Sequence, residues 1–202
     1  MKLLLTAVAA CAAVSMLAAQ SEPAPEKAQW HFPVHLGYIS GLSDVTDTMI
    51  EGGGSADTFD WPIGASFQPY LMFPSGFGFG FDVGPLAIVG FEWDGDSDWD
   101  EDEMSVILPL GAYVRYDFAP ADKTSPYVRA GLRQCLVGGD FLREGSIGAN
   151  VGLGVELNRD RRVSYGFEAS YDTCEVEVWQ FSNGTYVDEK PYGFMASFFL
   201  SF

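Results

Sequence analysis

The last thirteen residues, Lys190 to Phe202 (KPYGFMASFFLSF), constrain the fold more than any other stretch. Tyr192, Phe194, Ala196, Phe198, Leu200 and Phe202 share one face of a strand. Gly193, Met195, Ser197, Phe199 and Ser201 share the other. Large apolar residues alternating with mostly small ones mark a strand period, not a helical one. An apolar face of that size at a chain end is a liability in water. It is accommodated if the face meets hydrocarbon and the strand closes a barrel.

The chain start points the same way. Met1-Lys2 is a short basic lead, and Leu3 to Ala19 is apolar and Ala-rich, ending in Leu17-Ala18-Ala19. Residues 1–19 read as a secretory signal peptide, and 20–29 (QSEPAPEKAQ) as a flexible lead-in. Val8-Ala9-Ala10-Cys11 looks like a lipoprotein cleavage box, but the apolar run continues past Cys11. Without the signal, Cys135 and Cys174 are the cysteines left, and an oxidising compartment favours their pairing. The net charge of −17 argues against a nucleic-acid partner. After residue 19 no apolar run is long enough for a spanning helix. A barrel is then the remaining way to cross a bilayer.

Eight alternating stretches are expected as strands: 30–41, 59–73, 77–93, 103–118, 126–138, 146–158, 162–175 and 190–202. In the third, Phe77, Phe79, Phe81 and Val83 oppose Gly78, Gly80 and Asp82. In the fourth, Val106, Leu108, Leu110, Ala112 and Val114 oppose Ser105, Gly111, Arg115 and Asp117. In the sixth, Ile147, Val151 and Leu153 oppose Gly148, Gly152 and Glu156. A soluble sandwich would also alternate. Glycines and ionisable groups on the second face discriminate, because they suit a narrow lumen and not a lipid surface. Short connections (74–76, 119–125, 159–161) alternate with longer ones (42–58, 94–102, 139–145, 176–189), which are expected as acidic outer loops. Trp61, Trp93, Tyr171 and Tyr192 are expected at the outer rim, and Trp30, Phe73, Tyr116, Tyr165 and Phe202 at the inner one. Pro33, Pro62, Pro69, Pro85 and Pro109 fall inside the strands and predict bulges or strand ends.

The signal peptide, the eight strands, the loop rhythm and the closing Ser197-Phe198-Phe199-Leu200-Ser201-Phe202 together resemble the small outer-membrane barrels of the OmpA, OmpX and OmpW type. The resemblance covers nearly all of residues 30–202. It implies insertion by the barrel assembly machinery, with Phe198, Leu200 and Phe202 as the recognised signal. It implies no single activity, since members are structural, adhesive, complement-evading or conduits for small apolar molecules.

Parity places Asp82, Arg115, Asp117, Arg129, Arg133, Glu156, Glu168 and Asp172 in the lumen. A plug of ion pairs is the structural reading, and a gated ion path the functional one. The run Asp94, Asp96, Asp98, Asp100, Asp102 resembles the start of a calcium loop. Trp99 and Ser105 then stand where such a loop needs Gly and Glu, so a looser divalent site, bridging to lipopolysaccharide phosphates, is weighed against a solvated acidic loop. His31 and His35 have lumen parity and lie in no nucleophile or zinc motif. Asn183-Gly184-Thr185 reads as a turn. The expectation is an all-β, eight-stranded antiparallel transmembrane barrel, monomeric, without cofactor or enzymatic activity. It would act structurally or through surface contacts with lipid, lipopolysaccharide, divalent cations or host molecules. The alternative is an OmpW-like conduit for small solutes. A lipid-modifying enzyme, the third reading, would need a serine or carboxylate beside His35.

Overall fold

The computed structural model describes residues 27–51, 56–93 and 104–202. The expected signal peptide, most of the lead-in and the acidic run 94–102 lie outside them. Chain order is β1 (Gln29–His31), β2 (Val34–Ile39), α1 (Leu42–Ile50), β3 (Ala56–Asp60), β4 (Ile63–Phe67), β5 (Tyr70–Met72), β6 (Phe77–Val83), β7 (Ala87–Trp93), β8 (Met104–Asp117) and β9 (Thr124–Gly138). It continues through β10 (Leu142–Gly145), β11 (Ile147–Leu157), β12 (Ser164–Asp172), β13 (Val176–Gln180), β14 (Thr185–Glu189) and β15 (Phe194–Ser201).

Closure is explicit in the register. The last strand pairs antiparallel with β12 on one side and with β2 on the other, from Met195↔Ile39 to Leu200↔Val34. The circuit runs β2-β4-β6-β8-β9-β11-β12-β15 and returns to β2, with β1, β3, β5 and β7 extending its first three walls. This is a closed eight-stranded antiparallel barrel.

Parity decides which side chains face out. Phe79, Leu110, Val151 and Phe198, from four different walls, are 41%, 38%, 52% and 40% exposed. They do not converge on a shared core. The inward positions of the same strands are buried, and several inward glycines make room for larger neighbours. A Cβ at Gly154 would stand 2.5 Å from the Tyr127 ring, and one at Gly111 would stand 2.7 Å from Arg133 Cγ.

Prolines cut the first three walls, and four of the five mark strand ends as their positions predicted. Pro33 separates β1 from β2, Pro62 separates β3 from β4, Pro69 separates β4 from β5, and Pro85 separates β6 from β7. The break is a loss of donors, not of acceptors. The carbonyls of Pro33, Pro62 and Pro69 still receive the N–H groups of Gln68, Ile39 and Phe81 at 3.1, 2.7 and 3.0 Å. Pro109 is the exception, inside β8 opposite Cys135. Its missing N–H faces the stretch where β6 and β7 are themselves interrupted.

The last strand begins later than expected. Gly193 has φ of +46°, which breaks the alternation between Tyr192 and Phe194. Tyr192 is therefore fully buried inside the barrel and not at an outer rim. Trp61, Tyr171, Trp30, Tyr116, Tyr165 and Phe202 are exposed on the outside, while Phe73 is only partly so.

The expected loops at one end are structured. Leu42, Val45, Thr46 and Met49 form the buried stripe of α1, and Ser43, Asp44 and Asp47 the exposed one. Residues 176–189 form the β13–β14 hairpin, whose turn carries Asn183-Gly184-Thr185, and β10 pairs with β13. At the other end the connections are short, as between Phe73 and Phe77, where Gly76 N–H donates to Phe73 O at 3.0 Å.

Gly154→Val tests the crowding of the lumen. Overpacking against Tyr127 should cost about 1–3 kcal/mol, read as a lower urea midpoint for folding into micelles. An unchanged midpoint would show that the ring moves aside freely.

Candidate functional site

The lumen is layered. At the short-turn end, Arg115 Nε donates to Asp117 Oδ1 at 2.6 Å, and its NH2 group to Glu156 Oε2 at 2.7 Å. The guanidinium is sandwiched between the rings of Tyr70 and Tyr127, 4.3 and 3.7 Å from their centroids. Tyr70 Oη donates to Glu156 at 2.9 Å, and Ser164 Oγ to its other oxygen at 2.5 Å. Arg159 enters from the short turn and reaches Asp117 at 3.0 Å and Glu156 at 3.7 Å.

The middle layer is built on Arg129. Its Nε and NH2 groups hold the two oxygens of Glu168 at 2.9 and 2.7 Å, and Tyr127 Oη donates to the same carboxylate at 2.9 Å. Above it, Arg133 Nε donates to Asp82 at 2.8 Å, its NH2 group also contacts Asp82, and its NH1 group holds Asp172 at 2.9 Å. Five carboxylates thus meet four guanidiniums, all buried. Among the described residues Asp82 Oδ1 accepts no hydrogen bond. The eight charged residues that parity placed in the lumen, from Asp82 to Asp172, all lie in this network.

Arg159 escaped the parity argument because it sits in a turn, where alternation gives no information. Tyr113, Tyr127 and Asn150 carry the parity of Arg115, Arg129 and Glu156, so the alternation could have found them. Beyond the turns, Lys123 Nζ stands 2.9 Å from Asp160 Oδ2, and its hydrogen bond holds the exposed Asp160 carboxyl below its usual range.

His35 lies between the lower layers and the upper wall. Its Nδ1 stands 3.0 Å from Ser197 Oγ, and its ring stacks on Phe199 at 4.7 Å. The cavity beside them, also lined by Ser66, Gln68 and Glu168, has a volume of about 20 Å³. That is room for about one water, not for an acyl chain. His31 stacks on Tyr70 at 4.7 Å near the short-turn end.

Above the ionic layers the interior becomes apolar. Leu42, Val45 and Met49 of α1 and Val176 and Val178 of β13 pack with Ile39, Val89, Ile107 and Met195 of the walls. The helix is also held by side chains, with Thr48 Oγ1 donating to Glu189 at 2.8 Å and Gln180 donating to Glu51. The roof's outer surface exposes Asp44, Asp47, Glu51, Asp140, Glu144 and Asp188, against Arg143 and Lys190. Cys135 and Cys174 are thiols buried in the same apolar cluster. Asp94 to Asp102 lie outside the described residues, so the divalent-loop expectation has no geometry.

One wall is discontinuous. The ladder between β3 and β7 ends at Asp60↔Val89, and pairing resumes between β4 and β6 at Phe67↔Val83. The Pro85 ring packs on Gly64 in the interval, where a Cβ on the glycine would stand 2.5 Å from the proline Cβ. Tyr192 Oη bonds the Pro85 carbonyl at 2.8 Å and the Ile107 carbonyl at 3.0 Å, which latches the kink to the roof.

No family model matches the sequence, and no curated protein matches it. Among solved structures, the outer membrane protein OprG from Pseudomonas aeruginosa aligns over 90% of this chain and 99% of its own, with a TM-score of 0.54 and 11% identity. Neisserial surface protein A aligns over 87% and 98%, with a TM-score of 0.48 and 15% identity. The E. coli outer membrane protein W aligns over 88% and 99%, with a TM-score of 0.47 and 17% identity. The likeness is one of fold, that of a small eight-stranded outer-membrane barrel.

Removing Arg133 leaves Asp172 buried without a cation and Asp82 with only Arg129, 3.6 Å away. Arg133→Ala should lower folding stability by about 3–5 kcal/mol, and adding Asp82→Asn should restore part of the loss. Additive losses in urea titrations would show that the pair is not coupled. Tyr192→Phe should cost about 1–2 kcal/mol by stranding two buried carbonyls, measured the same way.

Proposed function

We propose that the chain is an exported outer-membrane barrel with a closed lumen, acting structurally or through surface contacts at its acidic roof. The observation that carries the reading is the ion-pair network. Four arginines and five carboxylates fill the inside of a wall whose outer face is apolar. Such a molecule fits hydrocarbon outside and offers no continuous water path within. Phe198, Leu200 and Phe202 form the outward face of the closing strand, which suits a signal for the barrel assembly machinery. The roof's exposed carboxylates suit partners that bring positive charge: divalent cations bridging to lipopolysaccharide phosphates, or basic host surface molecules. The lone barrel already closes its own sheet, which supports a monomer.

A second reading, a conduit for small apolar solutes, is favoured by one observation. The ladder interruption at Gly64 and Pro85 lies beside the apolar cluster under the roof. Passage would require the Pro85 ring to leave Gly64 and the roof to part.

Expression in a Gram-negative host should place the chain in the outer-membrane fraction as a heat-modifiable band, and planar-bilayer recordings should show no sustained step. A charge-selective step that disappears in Arg133→Ala would replace the plug with an ion path. Faster uptake of an apolar fluorophore through an intact lipopolysaccharide leaflet would favour the conduit.

A further inference from the structure

We propose that Cys135 and Cys174 form an intramolecular disulfide that ties the root of the roof hairpin to the barrel wall. Cys135 lies on β9, and Cys174 lies between β12 and β13. In the sheet β11 separates β9 from β12. Two strand spacings, about 9–10 Å, would hold two cysteines too far apart for a bond in a flat sheet.

The local geometry removes that distance. Cys174 folds inward over Gly148, so closely that any side chain there would collide with its backbone. The turn is fixed by the Cys174 N–H, which donates to Asp172 Oδ1 at 2.8 Å. The thiol then reaches across to β9. Its Sγ donates to the Ser146 carbonyl at 3.0 Å and stands 3.7 Å from the Arg133 carbonyl. The Cys135 N–H donates to that same Ser146 carbonyl at 3.2 Å. Cys174 Sγ and the Cys135 backbone therefore meet at one carbonyl oxygen, with both side chains buried in the same apolar cluster. Gly148 leaves Cys174 the space to fold in against β11, and past it only the Ser146 carbonyl stands between the Cys174 thiol and the Cys135 backbone.

The chemistry is thiol–disulfide exchange with a disulfide-bearing oxidant. One cysteine, as thiolate, attacks a sulfur of the oxidant and releases one of its sulfurs as a thiol. The second cysteine then displaces the other. The chain loses two protons and two electrons and gains one S–S bond, and the oxidant is left as a dithiol. The bond closes residues 135–174 and fixes the chain two residues before Val176, where the roof hairpin begins. It rests on the export reading only for its oxidant in cells.

The test uses the full chain, folded from denaturant into detergent micelles in a glutathione redox buffer. The heat-modifiable folded band is isolated, alkylated and cut with trypsin without reductant. Trypsin places Cys135 in residues 134–143 and Cys174 in 163–202, and mass spectrometry should find these two peptides joined. Reduction should release both. Cys174→Ser should leave Cys135 fully alkylated in the folded band. Free thiols, a retained glutathione adduct, or a bond to Cys11 or to a second chain in folded wild type would overturn the proposal. Absence of the chain from the outer membrane would remove the location and leave this readout standing.

Discussion

Charge neutralisation across the lumen is the interaction on which the barrel depends. Eight strands enclose a space that side chains must fill, and here the filling is guanidinium and carboxylate. Buried ions of this kind are tolerable only when each finds a partner with good geometry. Arg115, Arg129 and Arg133 all do so, and the tyrosines add both ring faces and hydroxyl donors. The glycines on the facing strands follow from the same packing. Without Gly111 and Gly154 the long side chains would have no room to lie across the axis.

The apolar roof solves a different problem. Strands β8 and β9 are longer than a bilayer crossing of about ten residues requires. Above the ionic layers their inward positions are Ile107 and Cys135 instead of arginine, and they need an apolar cover. The helix α1 and the β10–β13–β14 sheet supply it. Asp44, Asp47, Glu144 and Asp188 of these elements face out, which gives one end of the molecule its acidic surface.

What the sequence made legible follows the range of the physics. Pleating is local, so the inward set Arg115, Asp117, Arg129, Arg133, Glu156 and the outward set Phe79, Leu110, Val151 could be read from alternation alone. The proline breaks could be anticipated, but not that Pro33, Pro62 and Pro69 would keep their carbonyls in the ladder. The stripe Leu42, Val45, Met49 carried a helical spacing inside a stretch read as a loop. The roof sheet was out of reach, because Leu142 meets Val178 only once both walls between them are built. Tyr192 was misplaced by one glycine, whose positive φ turns a period of two inside out.

The register sets Arg115 directly opposite Arg129 on neighbouring strands. An isolated β8–β9 hairpin therefore brings two cations face to face, a repulsive pairing. Asp117 relieves Arg115 within the hairpin, but Arg129 and Arg133 find their carboxylates in Glu168 and Asp172 on β12 and Asp82 on β6, so the hairpin is electrostatically incomplete until other strands curl around it. A half-rolled sheet entering hydrocarbon would carry bare guanidiniums with it, at a cost of several kcal/mol each. On that arithmetic the arginine ladder would penalise entry of the sheet into hydrocarbon before the ring shuts.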